Sequence, residues 1–327
     1  MSECGADPPS PKLEYVVLLA LLKAGRTYEE SKKIARSITS RFTSIDALFE
    51  WLSKHDDGGA ARTVRSRYPP TERDVQAIRR ELLDPEGRTI EEQKIMAIVK
   101  DFMIRTLEYI RSLDANRLLR EEAINPFLVK ALGLGTFEEV ARYFVYQTVA
   151  RSIVTSFGTV LEKVGRLLAQ GEKKDWWDAV VDLHGRRYYM AIKSGPRTMD
   201  ADQAREFVRR AKGVVGAEPD AKPVYVGLYG KELWSAAKSV IEKKLGPVDE
   251  HVYIGRRFYE LVTGDPDYYK RLLELFGEAA TKSLTVMTLF GVKEERVMEL
   301  IESKVTEVAG ELEKKYRSVD ELVLSLF

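Results

Sequence analysis

The 327 residues suffice for one large α/β domain with a helical extension or for two domains, and the longest uninterrupted apolar run, 16–22, falls far short of a bilayer span. Lys plus Arg number 52 against 51 Asp plus Glu, so no global electropositive field marks a nucleic-acid binder and any such surface must be local. One cysteine, Cys4, and three histidines, His55, His184 and His251, exclude an internal disulfide and argue against zinc chemistry.

The opening Met1-Ser2-Glu3-Cys4-Gly5 lacks the basic and then apolar stretch of a secretory signal, which points to a cytoplasmic protein with no membrane association. A charged fraction of 31% combined with two asparagines and five glutamines is the balance expected of a thermophile, since ion-pair networks gain value with temperature and amides are thermolabile.

From residue 13 to about 168 apolar side chains recur at helical spacing, punctuated by Gly, Pro and capping residues, so this portion is expected to be all helix. Breaks are expected at Gly25, at 40–44, in the loop 55–59, at Tyr68-Pro69-Pro70, at 84–87 and at 133–136. Between them the chain concentrates Arg62, Arg65, Arg67, Arg73, Arg79 and Arg80. Such a cluster is either a nucleic-acid contact or, more commonly, a solvated basic face.

Periodicity changes at Trp176. Residues 176–183 and 187–193 are β-rich runs separated by His184-Gly185, a connection of hairpin length. Two further short apolar runs, 223–229 and 251–254, each precede a helical pattern, at 232–244 and 256–262. A hairpin followed by alternating strands and helices implies a mixed central sheet flanked by helices. From 266 to 327 the pattern returns to helix.

A two-residue turn fixes the pairing of the hairpin. Asp178 is expected opposite Ala191, with Lys193 two residues further along the same face. Diagonal neighbours of that kind lie about 7–8 Å apart at the backbone, so a carboxylate and an ammonium there can meet around one water. Asp182 falls opposite Arg187, where an ion pair accounts for it, and Asp175 is expected to pair with Ser194 on the other face. Spacing therefore selects Asp178 and Lys193. Taken alone, such a pair is ordinarily a cross-strand ion pair, and Glu162 ordinarily a helix residue paired with Arg166. Trp176 and Trp177 are expected to pack, one on each face.

The order of these pieces resembles a known superfamily. A helix with Gly158-Thr159-Val160-Leu161-Glu162, a strand with Asp178, a strand ending Ala191-Ile192-Lys193-Ser194-Gly195-Pro196, and a helix opening near Asp202-Gln203 are similar to the type II restriction endonucleases of the PD-(D/E)xK superfamily. Ile124-Asn125-Pro126-Phe127-Leu128, Ile254-Gly255-Arg256-Arg257-Phe258-Tyr259 and Gly264-Asp265-Pro266 extend the likeness over about 121–280.

The resemblance implies an α/β fold with a restriction-endonuclease-like core at 121–280; the helical patterns place a helical region at 1–120, a candidate for recognition or dimerisation, before it and a helical tail at 281–327 after it. It implies Mg-dependent, sequence-specific hydrolysis of double-stranded DNA by a homodimer that uses no nucleotide cofactor. In this reading Asp178 and Glu162 hold Mg2+ together with the backbone carbonyl of Ile192, and Mn2+ can substitute. Lys193 contacts the nucleophilic water and the scissile phosphate, and Gln203 hydrogen-bonds the lysine or a water at the site. Ser194, Arg197, Arg205 and Arg209, with Arg62, Arg65 and Arg67, are candidate DNA contacts. The chain departs from the pattern at Ala191, where the superfamily has Asp or Glu. Glu162 is expected to substitute, and a glutamate at 191 would be expected to reach the same cation from the strand side. A repair or junction-resolving nuclease on the same core, or an inactive DNA-binding protein with a nuclease fold, are the competing readings.

Overall fold

His184 and Gly185 both take positive φ, 50° and 75°, as a type I′ hairpin turn requires, and the strands they join keep the expected register. In the computed structural model, which describes residues 14–42, 44–54, 60–83, 88–287 and 297–327, strand β2 (Trp177–Leu183) pairs antiparallel with β3 (Arg186–Lys193) from Leu183↔Arg186 to Ala179↔Met190. The ladder ends there. Asp178 and Ala191 are therefore not ladder partners, one step short of the expected pairing.

Two parallel strands extend the sheet beyond β3: β4 (Lys222–Gly227), in register with Tyr188 to Lys193, and β5 (Val252–Ile254). Helix Ala201–Ala217 makes the first crossover, and helices Ser235–Leu245 and Val248–His251 make the second. On the other side of β2 lies β1 (Glu172–Lys174), giving a five-stranded mixed sheet in sequence order. The sequence pattern misses β1. The β1–β2 connection passes through Asp175, at φ 52°, so Asp175 occupies a turn and does not oppose Ser194.

One face of the sheet is closed by the crossover helices. Ala204, Phe207, Val208 and Ala211 recur at helical spacing on Ala201–Ala217 and are buried; the first three join Tyr189, Ala191 and Tyr225 of the sheet and Ala237 and Ile241 of Ser235–Leu245 in one cluster. Trp177 is buried in the same cluster, edge-on to Tyr189 and Phe207, and Trp176 packs against it, so both tryptophans serve packing on one side of the sheet. The alternate residue Ile192 points the other way, towards the C-terminal part of helix Phe137–Ala169.

The described residues fall into two compact units, one within 88–98 and 157–278, which holds the sheet, and one within 1–87, 99–156 and 279–327. The second is helical throughout its described residues. Among the described residues from Glu14 to Ala169 the regular elements are all helices, as expected, with two breaks the sequence reading omitted, where Asp114 and Asn125 cap new helices and Pro126 takes the first helical position of the latter. Leu107, Ile110, Leu118, Phe144, Val305 and Leu322 interlock at its core. The expected tail is found as helices Tyr268–Met287, Val297–Lys315 and Val319–Leu324. Cys4, His55 and the expected loops at 55–59 and 84–87 lie outside the described residues. Among the described residues no helix is long and apolar enough to cross a membrane.

Candidate active site

Helix Phe137–Ala169 approaches the sheet through Gly165. A methyl group at that position would lie 2.9 Å from Ile192 Cγ2 and 3.0 Å from Leu228 Cδ1, closer than packed carbons ordinarily come, so glycine lets the helix settle at this depth without displacing either side chain. Glu162 sits one turn earlier on the same side of the helix. From there its carboxylate meets the end of β3: Lys193 Nζ donates to Glu162 Oε1 at 3.1 Å. The same ammonium lies 3.7 Å from Asp178 Oδ2. Three residues from a helix and two strands thus converge on one point.

Exposure decides what this cluster can do. The side chains of Lys193, Glu162 and Asp178 are 33%, 34% and 22% exposed, so they are anchored yet open to a ligand from solvent. Asp178 Oδ2 also accepts the backbone N–H of Ile192 at 2.8 Å, taking up a donor freed where the ladder ends. In a strand the N–H and C=O of one residue leave on the same side. The Ile192 carbonyl therefore faces the β2 edge where Asp178 lies, whereas the Lys193 carbonyl faces β4 and accepts Leu228 N–H at 3.3 Å.

The donors gathered here are two carboxylates and one backbone carbonyl. Among the described residues no group of three His, Cys, Asp or Glu side chains is placed to hold a metal ion. A hard oxygen set with only two carboxylates suits Mg2+, which keeps several waters and takes one or two carboxylates from the protein, better than it suits a metal wanting nitrogen or sulfur.

Ala191 is 2% exposed and belongs to the buried cluster with Tyr189, Phe207 and Tyr225, so a glutamate there would have to bury its carboxylate in an aromatic core, against the expectation of a free approach to the cation. Gln203 is engaged in a cap. Its backbone N–H donates to Asp200 Oδ1 at 2.8 Å and its Oε1 accepts Asp200 N–H at 3.4 Å, a capping box that starts helix Ala201–Ala217. The lysine it was expected to meet binds Glu162 instead.

The candidate DNA contacts differ in how they are held. Arg205 pairs with Asp202, while Arg209 and Arg210 both bind Glu206, and their hydrogen bonds, Arg209 first, pull its carboxyl down to about 2. Arg197 is exposed just past Lys193, and Ser194 is half-buried, its carbonyl accepting Tyr229 N–H at 3.3 Å. Arg62, Arg65 and Arg67 are exposed and belong to the helical unit, with Arg67 beside the Tyr68 ring. Sequence reasoning missed Gly165, because a glycine inside a helix announces a stability cost and not the contact that requires it.

A family model described as type II restriction endonuclease EcoO109I matches residues 90–283, more than half of the chain. That span includes Glu162, Asp178, Lys193 and the whole sheet. No individual curated protein matches the chain.

Proposed function

Because the chain belongs to the type II restriction endonuclease EcoO109I family, and so is a site-specific endodeoxyribonuclease acting on DNA, we propose that Glu162, Asp178 and Lys193 form its catalytic centre on a PD-(D/E)xK core within 121–280. The observation that supports this is the convergence of both carboxylates on the Lys193 ammonium, at 3.1 and 3.7 Å, at the open end of two strands.

Hydrolysis of a phosphodiester needs a water held in line with the leaving oxygen and positive charge around the phosphate as negative charge builds up on it. Lys193 can serve both needs, because an ammonium has three donors and Glu162 takes only one. Swinging from Glu162 towards the phosphate, it would orient the attacking water and offset the developing charge. Glu162, Asp178 and the Ile192 carbonyl would hold Mg2+, with Mn2+ able to substitute. When bound, the cation supplies Lewis-acid polarisation of the phosphate and acidifies water. The Ile192 N–H bond keeps the Asp178 carboxylate fixed while lysine and substrate exchange places.

In this reading Arg197, Arg205 and Arg209 contact phosphates beside the centre, and Gln203 acts through the start of its helix. The helical region at 1–120, with Arg62, Arg65 and Arg67, serves recognition or dimerisation. Cutting both strands of a duplex is met most simply by a homodimer related by a two-fold axis. The charge balance suits a protein working in a hot environment. The direct test is incubation with plasmid DNA and Mg2+ at raised temperature, followed by end-sequencing. Discrete fragments from wild type and intact DNA from Lys193→Ala are expected; cleavage by Lys193→Ala would sink the assignment of the centre. Light scattering, free and DNA-bound, is expected to give a dimer.

A further inference from the structure

Two loops leave the sheet beside Lys193 and are tied together. Residues 194–200 follow β3 and residues 228–234 follow β4, and Tyr229 N–H and Trp234 N–H donate to the carbonyls of Ser194 and Pro196, each at 3.3 Å. Their side chains lock as well. A methyl group on Gly195 would lie 2.4 Å from Tyr229 Cζ, so the ring rests directly on the glycine backbone. From beneath, the hydroxyls of Tyr225 and Thr198 both donate to the Gly195 carbonyl, at 3.1 and 2.5 Å. Gly195 is thus clamped between a buried tyrosine and an exposed one.

The exposed member is the unusual one. Tyr229 keeps 59% of its surface in solvent, and Trp234 at the end of the same loop keeps 49%. Arg197 and Lys231, one on each of the two loops, are exposed, as is the single acid of the second loop, Glu232. Two large aromatics held out to water on loops that also carry two exposed cations, at the carboxyl ends of parallel strands where open α/β sheets bind their ligands, suit an anionic partner with an apolar component. A DNA backbone answers that description: its phosphates can meet the cations and the Tyr229 hydroxyl, and its deoxyriboses can lie against the rings.

We propose that Tyr229 is a substrate-contacting residue: seated on Gly195, its ring and hydroxyl bear on the sugar-phosphate backbone of duplex DNA beside Lys193. The inference rests on the catalytic centre assigned above. It also gives Gly195 a role, as the one residue on which the ring can lie flat.

The test reads binding separately from cleavage. A short labelled duplex carrying the site mapped from wild-type fragments is titrated with Mg2+ against Lys193→Ala and against the same variant with Tyr229→Ala, and melting temperatures are taken in parallel. Tyr229→Ala is expected to raise Kd about tenfold with unchanged melting. In otherwise wild-type protein it should raise KM for the duplex more than it lowers kcat. Tyr229→Phe assigns the contact: affinity restored to within about twofold places it on the ring, and a loss equal to that of alanine places it on the hydroxyl. Gly195→Ala should weaken binding by displacing the ring and should add little once Tyr229 is alanine. An unchanged Kd in Tyr229→Ala, or a loss accompanied by a matching fall in melting temperature, overturns the proposal. Cleavage by Lys193→Ala would instead overturn the assigned centre, while the effect of Tyr229→Ala on affinity would still be read.

Discussion

The carboxylate of Asp178 accepts the backbone N–H of Ile192 at 2.8 Å, across the point where the two strands of the hairpin stop pairing. Substitutions at Asp178 therefore separate charge from hydrogen bonding. Asn retains an acceptor for Ile192 N–H, so Asp178→Asn should melt as wild type while cleavage falls by about two orders of magnitude or more. Ala removes the acceptor and strands a donor in a residue that is itself fully buried, so Asp178→Ala should lose cleavage and also roughly 1–3 kcal/mol of stability. Urea melts and plasmid cleavage check both, and wild-type cleavage by Asp178→Asn would remove Asp178 from the centre.

Glu162 and Ala191 respond oppositely to changes of charge. Glu162→Gln alters a one-third-exposed side chain and should cost no more than ~0.5 kcal/mol, yet be severely defective in cleavage. Ala191→Glu buries a carboxylate among Tyr189, Phe207 and Tyr225 and should destabilise by ~2 kcal/mol or more. Combining the two should rescue no activity, even with Mn2+. Recovery of cleavage in the double variant would mean that position 191 can turn towards the cation after all.

Gly165→Ala should act at a distance of one helical turn. Its methyl would press on the Ile192 and Leu228 side chains, and overpacking there is expected to lift the helix, costing roughly 1–3 kcal/mol and drawing Glu162 away from Lys193. Loss of cleavage beyond that explained by partial unfolding at the assay temperature is expected. Equal melting and equal rates would show that the helix position is not what places Glu162.

Glu206 provides the pH-dependent prediction. Hydrogen bonds from Arg209 and Arg210 hold its carboxyl at about 2 against an ordinary 4.5. A depressed carboxyl contributes stability above its unfolded value and loses that contribution as pH falls through the folded one. Glu206→Gln should therefore flatten the acid limb of stability between about pH 4.5 and 2, modestly, because the group is solvent-screened. It should also release two guanidiniums. If these meet phosphates, the salt dependence of DNA binding steepens by roughly one to two phosphate contacts. Identical slopes for variant and wild type would take both arginines off the DNA.

The hairpin was legible because a two-residue turn leaves one register, and that register placed Asp182 against Arg187, where the structure has a two-pronged ion pair at 3.0 Å. The meeting of Glu162 with Lys193 was not legible from spacing. It depends on how deeply a helix sinks into a sheet, which the resemblance implied and Gly165 makes possible. The capping role of Gln203 was not read, because the third residue of a helix can turn its side chain back to the cap, and Asp200 three residues earlier was the signal for it. Ala191 reads as a missing ligand in a motif, whereas its surroundings are those of a core residue.

Strand β1 consists of Glu172, Lys173 and Lys174, all exposed, at one margin of the sheet. A row of charges along that edge would have to be stripped of water before another strand could dock there. The protein is in this way guarded against stacking into ribbons through its own sheet. Whenever the molecule opens in part, three charged residues that no apolar pattern reveals would act as a gatekeeper against aggregation.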